Sequence, residues 1–159
     1  MRYDQQFYLT LFSNASQSLY SDNVLSAFTT SLPQLIELGS SERWEVGLCE
    51  LTCPPPNVGL FAKKNAPVII GSETAFVYCD LIVPQVVGDS LVRCLRTYIF
   101  PTIDCQHHFK NVYYMPVEKS MFQTVRIEIL TQEGKRVGFK DSATPVKIVL
   151  HFRHVSSYI

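Results

Sequence analysis

The sequence predicts an all-β fold, a single jelly-roll β-sandwich of eight to ten antiparallel strands that spans residues 1–159. Three observations lead to this prediction. Apolar residues recur at every second position, turn residues separate the apolar runs at short intervals, and no segment shows the 3.6-residue period of a convincing amphipathic helix. A chain of 159 residues fits one domain and can bury a core without metal or disulfide bonds.

Four segments show the alternation most clearly and define the predicted core. In each segment one set of apolar side chains faces inward and the intervening set faces outward, as in a half-buried strand. The segments are Gln6–Phe12, residues 43–50, residues 124–129 and residues 146–153. The core positions predicted from them are Phe7, Leu9, Leu11, Trp44, Val46, Leu48, Val125, Ile127, Ile129, Ile148, Leu150 and Phe152.

Weaker strand patterns fill most of the remaining chain. The strands predicted from them are residues 26–32, 66–70, 74–83, 91–100 and 109–117, with a short strand at 135–139. The last one follows a predicted hairpin turn at residues 131–134, in which Gly134 is free to take a positive φ. Residues 31–38 could hold a helical turn, but Pro33 and the β-branched Ile36 oppose it.

The composition limits the classes of partner. Charged residues make up 18% of the chain, below the roughly 25% usual for soluble domains, and the formal net charge is zero. A neutral chain is a poor electrostatic binder of nucleic acid, so no direct nucleic-acid binding is expected. No apolar run reaches the length of a membrane span, and no signal peptide is visible. The low charge indicates either a surface covered by protein partners or an ordinary small domain with a large core.

The sequence contains no convincing catalytic or cofactor site, and we expect a protein that is not an enzyme. The best metal candidate is Cys105-Gln106-His107-His108, which alone lacks the four suitably spaced ligands of a structural zinc site. A cupin-like metalloenzyme that uses Cys105, His107 and His108 is the alternative. His151 and His154 are three residues apart on a strand and therefore face opposite sides, with His151 expected to face solvent. We predict no metal and no cofactor.

Several large apolar side chains alternate with the predicted core and therefore point away from it. They are Tyr8, Phe12, Tyr114, Leu130 and Val149, and we predict that they form contacts with partner subunits. Tyr113 and Tyr114 together could instead line a polar-aromatic cleft that binds glycan.

Several stretches, read in order, resemble a capsid-associated protein family of Polinton/Maverick elements and adintoviruses. The stretches are Phe7-Tyr8-Leu9-Thr10-Leu11, Asp22-Asn23-Val24-Leu25-Ser26-Ala27-Phe28-Thr29-Thr30, Leu32-Pro33, Trp44-Glu45-Val46-Gly47-Leu48-Cys49-Glu50-Leu51, Val77-Tyr78-Cys79-Asp80-Leu81, Pro84-Gln85-Val86-Val87-Gly88-Asp89, Leu95-Arg96 and Leu150-His151-Phe152-Arg153. The resemblance covers most of the chain. It implies a single jelly roll that serves as a penton-like minor capsid protein.

The resemblance also implies partners and a location. A penton-like subunit would form a homopentamer at the five-fold vertex of an icosahedral capsid and contact the major capsid protein. It would reside in the virion capsid after assembly in the host nucleus or cytoplasm. Relatives carry a longer segment than residues 51–76 between the Trp44 and Tyr78 motifs, which puts an attachment role in doubt here. A virion attachment module that binds a receptor or glycan remains the alternative function.

Overall fold

The computed structural model describes residues 5–56, 74–99, 105–139 and 144–156 and contains eleven strands in those ranges. The strands are β1 (Gln6–Phe12), β2 (Ala27–Glu37), β3 (Trp44–Cys53), β4 (Thr74–Cys79), β5 (Gln85–Val87), β6 (Ser90–Val92), β7 (Cys94–Ile99), β8 (Cys105–His108), β9 (Tyr114–Pro116), β10 (Met121–Thr131) and β11 (Lys147–His154). Strands β5, β6 and β9 have only three residues each, which accounts for the excess over eight to ten.

The strands form two main antiparallel sheets, and their order is that of a jelly roll. One sheet has the order β1-β11-β3-β8, with β9 also paired to β3, and we call it the first sheet. The second sheet has the order β2-β10-β4-β7, and β5 and β6 form a separate hairpin. Strands from the two ends of the chain lie side by side in both sheets, β1 beside β11 and β2 beside β10. This arrangement confirms the predicted fold class.

The core lies between the inner faces of the two sheets and matches the predicted one closely. Eleven of the twelve predicted core residues are buried, and Leu9 of the edge strand β1 is half-buried. Phe152 of β11 stacks on Phe7 of β1 with ring centroids 4.6 Å apart, and it lies 5.8 Å from Phe122 of the second sheet. The Trp44 indole N–H is also buried, and it donates to the Leu38 carbonyl at 3.0 Å.

Strand β2 is longer than predicted and includes residues 31–37, where Pro33 and Ile36 opposed a helical turn. It passes through Pro33 and ends at Glu37. Proline is tolerated here because β2 is the edge of its sheet, where a missing N–H breaks no ladder on the outer side. The register with β10 also shifts between Phe122 and Thr124, opposite the proline segment.

Other boundaries differ from the sequence prediction in ways that pairing explains. Residues 135–139 form no strand, and two isolated bridges, Leu130 with Arg136 and Pro56 with Phe139, are all that pairs them. Gly134 does take the positive φ expected of the turn, at 79°. The segment 91–100 divides between β6 and β7, and the segment 74–83 ends as a strand at Cys79. The predicted strand at 66–70 lies outside the described residues.

The remaining difference concerns the strand beside β3. The sequence predicted one strand at 109–117, whereas β8 and β9 pair with β3 on either side of residues 109–113. This interruption carries the chain over Gly47 of β3 and brings Tyr114 onto the outer face of the first sheet.

Candidate interaction surface

Aromatic and polar side chains form a row across the outer face of the first sheet. Register places Tyr8 opposite His151, His151 opposite Gly47, and Gly47 opposite Tyr114. The Tyr8 ring stacks on the His151 imidazole at 4.5 Å, and the Tyr114 ring meets the same imidazole edge-on at 5.7 Å. We call Tyr8, Tyr114, His151 and their neighbour Arg153 the aromatic face.

His151 links three strands through hydrogen bonds. Its Nε2 lies 2.9 Å from Gln6 Oε1 on β1, and its Nδ1 lies 2.7 Å from the Tyr114 hydroxyl on β9. Because an amide oxygen only accepts, Nε2 carries the proton and donates to Gln6. Nδ1 then accepts a hydrogen bond from the Tyr114 hydroxyl, so the neutral imidazole fixes both neighbours.

Arg153 covers the Tyr114 ring from one side. Its guanidinium carbon lies 3.5 Å from the ring centroid, within the range of a cation–π contact. Its Nε and Nη2 both donate to Glu45 Oε2, at 3.1 and 2.9 Å. An ion pair this exposed adds little stability by itself. Its effect is to hold the arginine flat against the tyrosine.

The surroundings of the aromatic face shift the pKa values of two of its side chains. Burial lowers the pKa of His151, and the positive charge of Arg153 lowers it further. Burial raises the pKa of Tyr114, while Arg153 acts in the opposite direction. Both residues are therefore neutral near pH 7, as the hydrogen bonds between them require.

We expect the stability of the fold to depend on the protonation of His151. The unfolded chain protonates this residue near pH 6.5, a typical histidine pKa, whereas the folded chain does so only at a lower pH. The His151 contribution is therefore complete above the unfolded-state pKa and is lost as the pH falls through the folded-state pKa. His151→Gln keeps a hydrogen-bonding side chain and should flatten this part of the profile.

Unfolding free energies measured from about pH 7.5 to about pH 5 check this prediction. The wild type should lose more stability on acidification than His151→Gln does. Parallel profiles for the two proteins, or an imidazole NMR titration midpoint above the usual histidine value, would contradict it.

Gly47 lets the chain pass over the first sheet just before Tyr114. A β-carbon built at Gly47 would collide with Cγ1 of Val112 and lie 2.8 Å from the Tyr113 carbonyl oxygen. That oxygen belongs to the backbone and cannot rotate away. Glycine is therefore required here for close approach of two chain segments, and the approach positions Tyr114.

Gly47→Ala should lower the free energy of unfolding by about 1–3 kcal/mol through overpacking. The change should also displace Tyr114 from His151, because residues 112–114 must move away from β3. Chemical denaturation gives the first quantity, and the His151 NMR shift reports the second. Adding Val112→Ala should restore part of the stability, since it removes the nearest atom. A single variant as stable as the wild type would show that the close approach is not required.

The structure brings four of the five predicted contact residues onto one face. Tyr8, Phe12, Val149 and Tyr114 all belong to the outer side of the first sheet, whereas Leu130 belongs to β10 in the second sheet. Tyr8 is 61% exposed and Phe12 39%, while the other three are half-buried.

Gln6, His151 and Arg153 also belong to this face, although they are not among the predicted contact residues. Their period-two spacing with Tyr8 and Val149 is the signal that could have found them. His151 lies on the predicted side of β11, although the two tyrosines cover it where a solvent-facing residue was expected.

The two candidate metal-binding histidines do not converge. His107 packs on the Tyr98 and Phe109 rings, at 5.3 and 4.6 Å, whereas His108 approaches Glu50 at 3.7 Å. Adjacent strand residues face opposite sides, so the two imidazoles diverge. In the described ranges no three His, Cys, Asp or Glu residues are grouped to hold an ion.

Arginine side chains cover the rings of both tyrosines of the proposed glycan cleft. The guanidinium carbon of Arg96 lies 4.4 Å from the Tyr113 ring centroid, and that of Arg153 lies 3.5 Å from the Tyr114 ring centroid. A cavity of about 520 Å³ occurs elsewhere, and it is lined by residues of the chain after β1, including Asn14 and Gln17, and by Phe139.

No helix within the described residues is long and apolar enough to cross a membrane.

The strand order defines the class of fold, a single jelly-roll β-sandwich. No protein-family model and no curated protein matches the chain. Among solved structures, the chain is similar to the crystal structure of the selenomethionine-labelled mavirus penton protein. The TM-score is 0.65 at 7% sequence identity, over 96% of this chain and 100% of that chain. At this identity the likeness is one of fold, and the two chains share it over nearly their full lengths.

Proposed function

We propose that the chain is a structural virion protein, a penton-like minor capsid subunit that forms the five-fold vertex of an icosahedral capsid. The similarity to the mavirus penton protein over nearly the full length of both chains carries this proposal. A shared core motif alone would leave part of one chain unmatched. The sequence resemblance to capsid-associated proteins of Polinton/Maverick elements and adintoviruses supports the same function independently of the fold.

The outer surfaces of the two sheets support assembly into a ring. A head-to-tail contact uses two different surfaces of each subunit and closes when the rotation between neighbours is fixed. The face that contains Tyr8, Phe12, Tyr114 and Val149 provides one surface. Leu130 lies on the opposite sheet and belongs to the second surface of this contact. Partly exposed aromatic groups with an anchored arginine are typical of contact centres.

The proposed subunit acts by binding other proteins and has no catalytic activity. Five copies form the ring, and the rim of the ring contacts the major capsid protein. The protein then resides in the virion capsid after assembly in the host nucleus or cytoplasm. No cofactor, membrane span or nucleic-acid contact has a part in this function.

Native mass spectrometry of the purified chain tests the proposal. The expected result is a discrete five-subunit species, together with the presence of the chain in purified particles. A chain that stays monomeric at high concentration and is absent from particles would overturn it. A monomer that binds defined glycans on an array would point to the attachment function instead.

A further inference from the structure

Strand β1 has one free edge. In the described ranges it pairs with β11 alone. Two backbone hydrogen bonds just beyond the ends of this pairing show which residues of β1 bond to β11. The His154 N–H donates to the Gln5 carbonyl at 2.7 Å, and the Ser13 N–H donates to the Val146 carbonyl at 3.0 Å. Odd-numbered residues of β1 therefore bond to β11. The backbone groups that point to the free edge are the N–H and C=O of Gln6, Tyr8 and Thr10 and the N–H of Phe12. The Phe12 carbonyl already accepts a hydrogen bond from the Ala15 N–H at 3.2 Å.

Within the described residues, this edge has none of the sequence or pairing features that oppose further pairing. Proteins blunt an edge strand with charge, proline, a bulge or a short length. The seven residues of β1, Gln-Phe-Tyr-Leu-Thr-Leu-Phe, include no charge and no proline, and the register with β11 has no shift.

The other edge strands of the two described sheets are protected. Strand β2 contains Pro33 and a register shift. Strand β7 contains Arg96 and a register shift against β4. Strand β8 has only four residues, and β9, on the same side of β3, has three. The contrast makes β1 the edge on which a protein strand can be added.

The flanks of the edge define what kind of strand would fit. On the outer side the added strand would meet the exposed side chains of Tyr8, Thr10 and Phe12, none of which is charged. On the inner side it would meet the half-buried Leu9 at the rim of the core. The charges on the neighbouring strand are already paired, Lys147 with Glu50 at 2.7 Å and Arg153 with Glu45 at 2.9 Å. A charged strand would therefore find no partner here.

We infer that β1 binds an extended, uncharged segment of a partner polypeptide, with alternating apolar residues, as an additional strand of the first sheet. Backbone hydrogen bonds to the four even-numbered residues supply the attraction, and the apolar flanks select the sequence. A residue of the added strand covers Leu9, and aromatic or β-branched side chains pack beside Tyr8 and Phe12.

The size of the edge favours a flexible segment over a second folded copy. Seven residues make an edge about 24 Å long, and one added strand occupies a width of about 5 Å. A stable contact between two folded proteins needs about 800 Å² on each partner. The edge alone falls well short of this area, whereas an extended segment binds mainly through the backbone.

Residue-resolved hydrogen–deuterium exchange on the full chain tests the inference. In the free chain the amides of Gln6, Tyr8, Thr10 and Phe12 should exchange at least about 100-fold faster than those of Phe7, Leu9 and Leu11, which bond to β11. The probe is the acetylated and amidated peptide Thr-Val-Tyr-Val-Thr-Val-Thr at millimolar concentration. It should slow the four edge amides at least tenfold, and a peptide with proline at its centre should not.

Two substitutions at one position provide the control. Thr10→Lys places a charge on the edge and should abolish the protection by the peptide, while Thr10→Val keeps a neutral β-branched residue and should retain it. Gln34→Lys on the edge strand β2 should have no effect. Edge amides already protected in a dilute monomer, or peptide protection confined to another segment, would overturn the inference.

A second copy as the occupant is the remaining outcome, and it too would overturn the inference. The edge amides would then become protected as the concentration of the chain alone rises. Because Tyr8 and Phe12 also belong to the proposed ring contact, the peptide test is made on the dilute monomer, where the four edge amides are followed in the absence of the ring. Failure of the ring would appear in native mass spectrometry and leave the exchange pattern of β1 unchanged.

Discussion

Replacing Phe152 with alanine is expected to lower the free energy of unfolding by about 3–5 kcal/mol. The side chain is fully buried, with 0% exposure. Its ring stacks on Phe7 within the first sheet and lies 5.8 Å from Phe122 in the second. Truncation would therefore leave a cavity at the point where the two sheets meet, and a sandwich this rigid can collapse only partly around it.

Chemical denaturation followed by the fluorescence of Trp44 measures this loss, because Trp44 is the only tryptophan and its ring lies 5.6 Å from Phe7. Tyr8→Ala is the matched control. It removes an aromatic ring from the opposite side of the neighbouring strand, where the ring is mostly exposed, and should cost less than about 1 kcal/mol. Equal shifts in the denaturation midpoint for the two variants would contradict the proposed sheet packing.

Alternation was sufficient to predict the core because each half-buried strand records in its own sequence which side faces inward. The pattern in residues 146–153 identified Ile148, Leu150 and Phe152, and all three are buried. Leu9 satisfies the same pattern and is only half-buried. It lies between the buried Phe7 and Leu11 on the edge strand β1, and alternation alone does not distinguish it from them.

The boundaries that were wrong depend on pairing partners. Strand β8 has a polar sequence, Cys-Gln-His-His. It forms a strand because β3 provides partners for its backbone hydrogen bonds. Residues 135–139 have a strand-like pattern, but isolated bridges are all that pairs them in the described part of the chain. Pro33 opposed a helical turn, and the strand that forms in its place accommodates the proline because β2 is an edge strand.

The candidate surface was predictable in direction but not in composition. Period-two alternation correctly placed Tyr8 and Val149 away from the core. It could not show that Gln6 and Tyr114 meet at His151, because those contacts join residues 145 and 37 positions apart. Nor could it show that Leu130 lies on the other sheet, since the sheet to which a strand belongs follows from topology alone.

Among the predicted contact residues, Tyr8 offers the cleanest test of assembly. Val149 lies directly opposite Glu50, and its carbonyl accepts a hydrogen bond from the Cys49 thiol. An aspartate there would place two carboxylates side by side within one subunit. Replacing Tyr114 would remove the hydroxyl bonded to His151. Either change would disturb the fold as well as the contact, whereas Tyr8 is 61% exposed.

Tyr8→Asp is therefore expected to weaken the proposed ring contact at least about 100-fold, or about 2.7 kcal/mol, while the unfolding midpoint stays close to that of the wild type. The carboxylate would lose its hydration in the contact and find no free cation, because Arg153 already binds Glu45. A dilution series by mass photometry measures the change. Leu19→Asp alters an equally prominent apolar residue, 68% exposed, outside the aromatic face and should leave assembly intact. Dissociation by both variants, or by neither, would show that the aromatic face is not the contact, because only a contact centred on Tyr8 distinguishes the two positions.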